Sequence, residues 1–130
     1  MTIIRTITIW LFILLLQSCS APSESNTEAE TITAQQFKKQ YSPETDVIID
    51  VRTPEEYQQG HLKAAKNVDY TGGEFEQKFK NWDKSKTYYL HCASGNRSGK
   101  AAKMMAEDGF EHVYNIGGYE DMKKSGLPAE

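Results

Sequence analysis

LHCASGNRSGKAAKM, residues 90–104, joins the end of an apolar run to a helix through a loop of small residues holding one cysteine and one arginine. Tyr88 to His91 reads as a strand. Ser98 to Asp108 reads as a helix, with Ala101, Ala102, Met105 and Ala106 along one side and Gly109 placed to end it. A strand running through a tight loop into a helix is half of a parallel crossover unit, so the flanking sequence should repeat that alternation.

It does. Thr33-Ala-Gln-Gln36 is a capping box that opens a short helix ending before Pro43. Val47 to Val51 is an apolar strand interrupted only by Asp50, the pattern of a strand covered on both faces. Thr53-Pro-Glu-Glu56 is a second cap signature with proline at the first helical position, and its helix should stop at Gly60. Lys66 to Asp69 reads as a brief strand. Gly73 to Asn81 reads as a helix carrying Phe75 and Phe79, with Trp82 beyond it, as core residues. His112 to Ile116 is the last expected strand and Tyr119 to Lys124 the last helix. This alternation predicts an α/β fold, a parallel sheet with helices on both faces. In such sheets ligands sit beyond the C-terminal strand ends, which is where Cys92 falls.

The first 19 residues stand apart from that pattern. Arg5 is their only charge, and the run from Ile7 to Leu16 is broken only by Thr8. It is shorter than the roughly 20 apolar residues a membrane span needs, and suits the core of a secretory signal peptide. Leu16-Gln17-Ser18-Cys19 resembles the bacterial lipoprotein signal. That resemblance implies that residues 1–18 are removed and Cys19 carries the lipid, anchoring the chain to a membrane of the bacterial cell envelope. Residues 19–30 lack large apolar side chains and should form an acidic flexible tether, leaving residues 31–130 as the folded domain.

The chain has 130 residues, 15 Lys and Arg against 18 Asp and Glu, and a net charge of −3. Removing residues 1–18 takes away one more cation. This acidity argues against general nucleic-acid binding. Of the two cysteines, acylation of Cys19 would leave Cys92 as the only thiol. A lone cysteine in an oxidising envelope is either buried and inert or kept for its chemistry.

The loop favours chemistry. A thiolate is stabilised by a helix N-terminus and by a cation, here the helix near Ser98 and Arg97. Ala93, Ser94, Gly95 and Asn96 are small enough to curl their amides inward as an anion-binding nest, with Gly95 and Asn96 best suited to positive φ. Four residues separate Cys92 from Arg97. Tyrosine-phosphatase loops have one more, to enclose a tetrahedral phosphate.

The shorter ring resembles that of the rhodanese family. Asp50-Val-Arg52, Pro54-Glu-Glu-Tyr57, Gly60-His61-Leu62 and Ala65-Lys-Asn67 look like that family's N-terminal signature. Cys92 to Ser98 looks like its active-site loop, and Asn115-Ile-Gly-Gly118 like its C-terminal signature. The similarity spans roughly residues 31–128 and is closest to small single-domain periplasmic sulfurtransferases. It implies a rhodanese-like sheet of about five strands. The implied activity is thiosulfate sulfurtransferase, with Cys92 as nucleophile and persulfide carrier. Ala93, Ser94, Gly95, Asn96, Arg97 and Ser98 would hold the sulfur, and Arg97 the donor's sulfonate. The donor would be thiosulfate or a related anion and the acceptor a thiol or cyanide, with no cofactor. Ala93 departs from the pattern, since many thiosulfate-using members carry a cation there. Ala64 and Met122 replace a usual glycine and tryptophan. Asp50, Arg52 and Glu56 are expected to form a buried brace under the loop. His91 and Cys92, consecutive on a strand, should diverge, so with His61 they offer no metal site. The rival reading is a carrier or binding module that accepts sulfur without turnover.

Overall fold

The computed structural model describes residues 28–130. Its five-stranded sheet has the order β1-β5-β4-β2-β3, and every neighbouring pair is parallel. The strands are β1 (Glu30–Thr31), β2 (Val47–Asp50), β3 (Ala65–Asn67), β4 (Thr87–Cys92) and β5 (His112–Gly118). The helices are α1 (Ala34–Gln40), α2 (Pro54–Gln58), α3 (Glu74–Lys78), α4 (Asn96–Glu107) and α5 (Tyr119–Lys124), with a 3-10 turn at Phe79–Asn81.

Both capping boxes are present. Thr33 and Gln36 bond reciprocally at the start of α1, and Thr53 and Glu56 at the start of α2. Each satisfies two N-terminal amides that the helix cannot, which is why such short helices have defined beginnings. The expected helix from Gly73 to Asn81 divides, with its last three residues tightening into the 3-10 turn. The predicted helix at Ser98 begins two residues earlier, at Asn96, and Gly95 at φ +93° is its N-cap. Asn96 is therefore helical, and only the glycine of the expected pair takes positive φ.

β1 was not anticipated, and it places Glu30 in the sheet rather than in the expected tether. Two exposed residues carry no periodicity. Glu30 and Thr31 are strand residues only through their pairing with Tyr114 and Asn115.

Alternation along β4 builds the two halves of the core. Tyr88, Leu90 and Cys92 face the layer of α3, the 3-10 turn and α4, where Phe75, Phe79, Ala101, Ala102 and Met105 are buried. Tyr89 faces the opposite layer, with Phe37 of α1 and Tyr119 and Met122 of α5. Phe75 and Phe79 are core residues as expected, and Trp82 packs partly buried against them. Between Leu90 and His91 the pairing with β5 shifts by one residue, from Leu90↔Asn115 to His91↔Gly117. This bulge leaves Ile116 without a partner in the β4 ladder and brings Gly117 and Gly118 alongside the last residues of β4.

Candidate active site

Cys92 ends β4 and has no exposed surface. The loop that follows folds over its sulfur. The Gly95 amide donates to Sγ at 3.0 Å, and the Ser98 hydroxyl lies 3.4 Å from Sγ. Burial alone would push this thiol up. Hydrogen bonds from the Ser98 side chain and from the amides of Ser98, Ser94 and Gly95 outweigh burial, so it ionises below its ordinary value. The cysteine is thus buried and, at the same time, built to carry negative charge.

Close backbone packing holds the loop in this shape. A Cβ on Gly118 would lie 2.6 Å from the Ala93 carbonyl oxygen, so β5 can pass under the loop only without a side chain there.

Asn115, which reading the sequence marked only as part of a signature, is the hub. Its Oδ1 accepts from the Ser98 hydroxyl at 2.8 Å and from the Gly117 amide at 3.1 Å. Its Nδ2 donates to the Gly95 carbonyl at 3.1 Å and to Thr31 Oγ1 at 3.4 Å. Ser98 has one hydroxyl proton for two acceptors, Asn115 Oδ1 and Sγ. While the thiol is protonated, the hydroxyl can serve Asn115. Once a thiolate forms it can turn to the sulfur, because the Gly117 amide still satisfies Oδ1.

The expected three-residue brace is corrected. Asp50 and Arg52 do form a buried pair, with Arg52 Nη2 at 2.7 Å from Oδ2 and a further bond from Nη2 to the Gly60 carbonyl at 2.7 Å. Asn67 Nδ2 ties the backbone of the same turn by donating to the carbonyls of Asp50 and Arg52. Glu56 does not join them. It reaches across to Arg97, with Nη1 at 2.7 Å from Oε2 and Nη2 at 2.8 Å from Oε1. The forked bond to Arg97, against a smaller opposing effect of burial and with help from Thr53, holds the Glu56 carboxyl down to about 2. Arg97 is raised further by the same bond, and the nearby Cys92 sulfur adds to this. The loop's cation is therefore present and close to the sulfur, but it is already matched by a carboxylate.

His91 and Cys92 do take opposite faces. His91 is fully buried, its Nε2 has no hydrogen-bond partner among the described residues and stands 3.6 Å from Asp50 Oδ2, and burial favours the neutral ring. His61 Nδ1 lies 3.0 Å from the Tyr57 carbonyl. Beside Ala93 opens a cleft of about 300 Å³ lined by Arg52, Glu56, Tyr119, Glu120 and Lys123.

Comparison with known proteins agrees with this arrangement. The Rhodanese-like domain family matches residues 33–125. Thiosulfate sulfurtransferase PspE of Escherichia coli is 38% identical over 76 residues, covering 57% of this chain and 71% of its own. The putative sulfur carrier protein YrkF of Bacillus subtilis is 33% identical over 95 residues, covering 72% of this chain and half of its own length. Among solved structures, a rhodanese with anions from E. coli superposes with a TM-score of 0.58 at 34% identity, covering 65% of this chain and 96% of its own. A parallel five-stranded sheet, a cysteine at the end of its central strand and a match over most of the described residues converge, and the chain belongs to the rhodanese-like domain family.

Proposed function

We propose that this protein is a sulfurtransferase that carries sulfane sulfur as a persulfide on Cys92. The observation that supports this most directly is the ring of donors on Sγ, which favours the thiolate in a site otherwise closed to water. In the loading step the thiolate attacks the outer sulfur of thiosulfate or a related donor. The new Sγ–S bond forms as the donor's S–S bond breaks, its electron pair leaving on sulfite. An acceptor thiolate or cyanide then attacks the outer sulfur and returns Cys92 as thiolate. Splitting the transfer in two is covalent catalysis, and the amides of Ser94 and Gly95 act as an oxyanion hole would, on sulfur.

Intact mass of the purified protein, before and after thiosulfate, tests this reading. The expected result is a gain of one sulfur, about 32 Da, that cyanide removes. Repeated turnover with thiosulfate and cyanide separates an enzyme from a carrier that loads once.

We further propose that the domain is held at the bacterial cell envelope by a lipid on Cys19, which lies outside the described residues. The support is the run from Leu16 to Cys19 together with the absence of charge from Thr6 to Cys19. Cys19→Ala is expected to lose lipid labelling and leave the membrane fraction, or remain unprocessed, with the domain still folded. Unchanged lipid labelling of that variant would exclude the site.

A further inference from the structure

Among the described residues, both cations that line the cleft, and Arg97 behind its Glu56 wall, are matched by a carboxylate. Arg52 pairs with Asp50 at 2.7 Å, Lys123 with Glu120 at 3.1 Å, and Arg97 with Glu56 at 2.7 Å. Arg52 and Lys123 also lie over the Tyr119 ring, 4.2 and 4.9 Å from its centroid. Ala93, on the rim, adds no charge. A doubly charged donor therefore meets a mouth whose positive groups are cancelled one for one.

Of the three pairs, only Arg97–Glu56 touches the sulfur loop, and its geometry is restrictive. Both guanidinium ends are engaged by both carboxylate oxygens, and the carboxylate is itself held by the Thr53 amide at 2.9 Å. A forked pair fixed at one end cannot swing toward an incoming anion without losing two charge-assisted bonds. Building on the sulfurtransferase reading, we propose that Glu56 is a positioning and specificity-determining residue that limits how strongly the site favours donors of higher negative charge. It does so by neutralising Arg97 and holding its guanidinium.

Two donors isolate the effect. Thiosulfate carries two negative charges and methanethiosulfonate one, and each delivers one sulfane sulfur to a thiolate, releasing sulfite or methanesulfinate. Glu56→Gln keeps a carbonyl oxygen for Thr53 and Arg97 and removes the charge. One unit charge at a partly exposed site should change the attraction per donor charge by roughly three- to tenfold at low ionic strength. In the full-length protein, Glu56→Gln should therefore raise the ratio of kcat/KM for thiosulfate over methanethiosulfonate by about that factor. It should also lower the pH at which Cys92 reacts with iodoacetamide. Glu56→Gln with Arg97→Gln restores the net charge and should return the ratio to that of the parent. The parent needs no variant for its own test, since its donor ratio should fall only weakly as salt is raised.

An unchanged ratio in Glu56→Gln with unchanged Cys92 ionisation would overturn the proposal and leave Glu56 a brace. A steep salt dependence in the parent would overturn it equally, by revealing an uncompensated cation at the mouth. Failure of both donors to load Cys92 in the parent is a different outcome, which removes the sulfurtransferase reading and this inference with it.

Discussion

Cys92→Ser is expected to abolish sulfur transfer from every donor while leaving the domain folded. The serine oxygen can accept from the Gly95 amide and meet the Ser98 hydroxyl much as the sulfur does. What it cannot do is ionise near neutral pH or hold a sulfane sulfur for the second step. The loss should exceed roughly a thousandfold, down to assay background, as for other covalent nucleophiles. Two measurements check it together. Mass spectrometry after thiosulfate should show no added sulfur, and thermal unfolding should remain cooperative near the parent's midpoint. Turnover comparable with the parent's would move the chemistry away from this loop.

The largest effect on stability is expected at Asp50. Its carboxylate is fully buried and holds Arg52 through the side chain at 2.7 Å and through the Arg52 amide at 3.0 Å. Asp50→Ala would strand the guanidinium of Arg52, a residue only 5% exposed, with the Gly60 carbonyl and the Tyr119 ring as its remaining partners. Removing one member of a buried pair costs about 3–5 kcal/mol, because the other charge stays buried. Urea denaturation should show that loss as a lower midpoint. A cost below about 1 kcal/mol, the range of exposed pairs, would mean that water reaches Arg52. The same cluster gives a pH dependence. His91 faces Asp50, Arg52 and Tyr119, and burial holds it neutral below its ordinary 6.5. The unfolded chain therefore takes up a proton that the folded chain refuses, so this group's contribution is full above pH 6.5 and falls as the pH drops below it.

What was legible in the sequence was local. The capping boxes at Thr33 and Thr53 are written within four residues of chain, and each helix starts where its box says. The alternation that puts Cys92 on the face of α4 and His91 on that of α5 follows from strand geometry alone. The cysteine loop was legible for the same reason, because a strand, a nest and a helix are consecutive.

What was missed is non-local. Glu56 and Arg97 are 41 positions apart, and nothing near either residue names the other. The loop shows the arginine and hides its partner. Asn115 was visible as part of a signature. Three of its four bonds reach Thr31, Gly95 and Ser98, contacts that only the assembled sheet creates.

That hub has a mechanical consequence. A pull on the residues before Glu30 bears on Ala29, which packs against the core, and on β1, the shortest strand of the sheet, which lies at its edge. β1 bears on β5 at Tyr114 and Asn115, and Thr31 touches the Asn115 side chain directly. From Asn115 the path runs to Ser98 and then to the Cys92 sulfur. Three side-chain contacts separate the point where load arrives from the atom on which the chemistry would occur. With only two paired residues, β1 is the fuse in that path, expected to yield under tension before the loop is distorted.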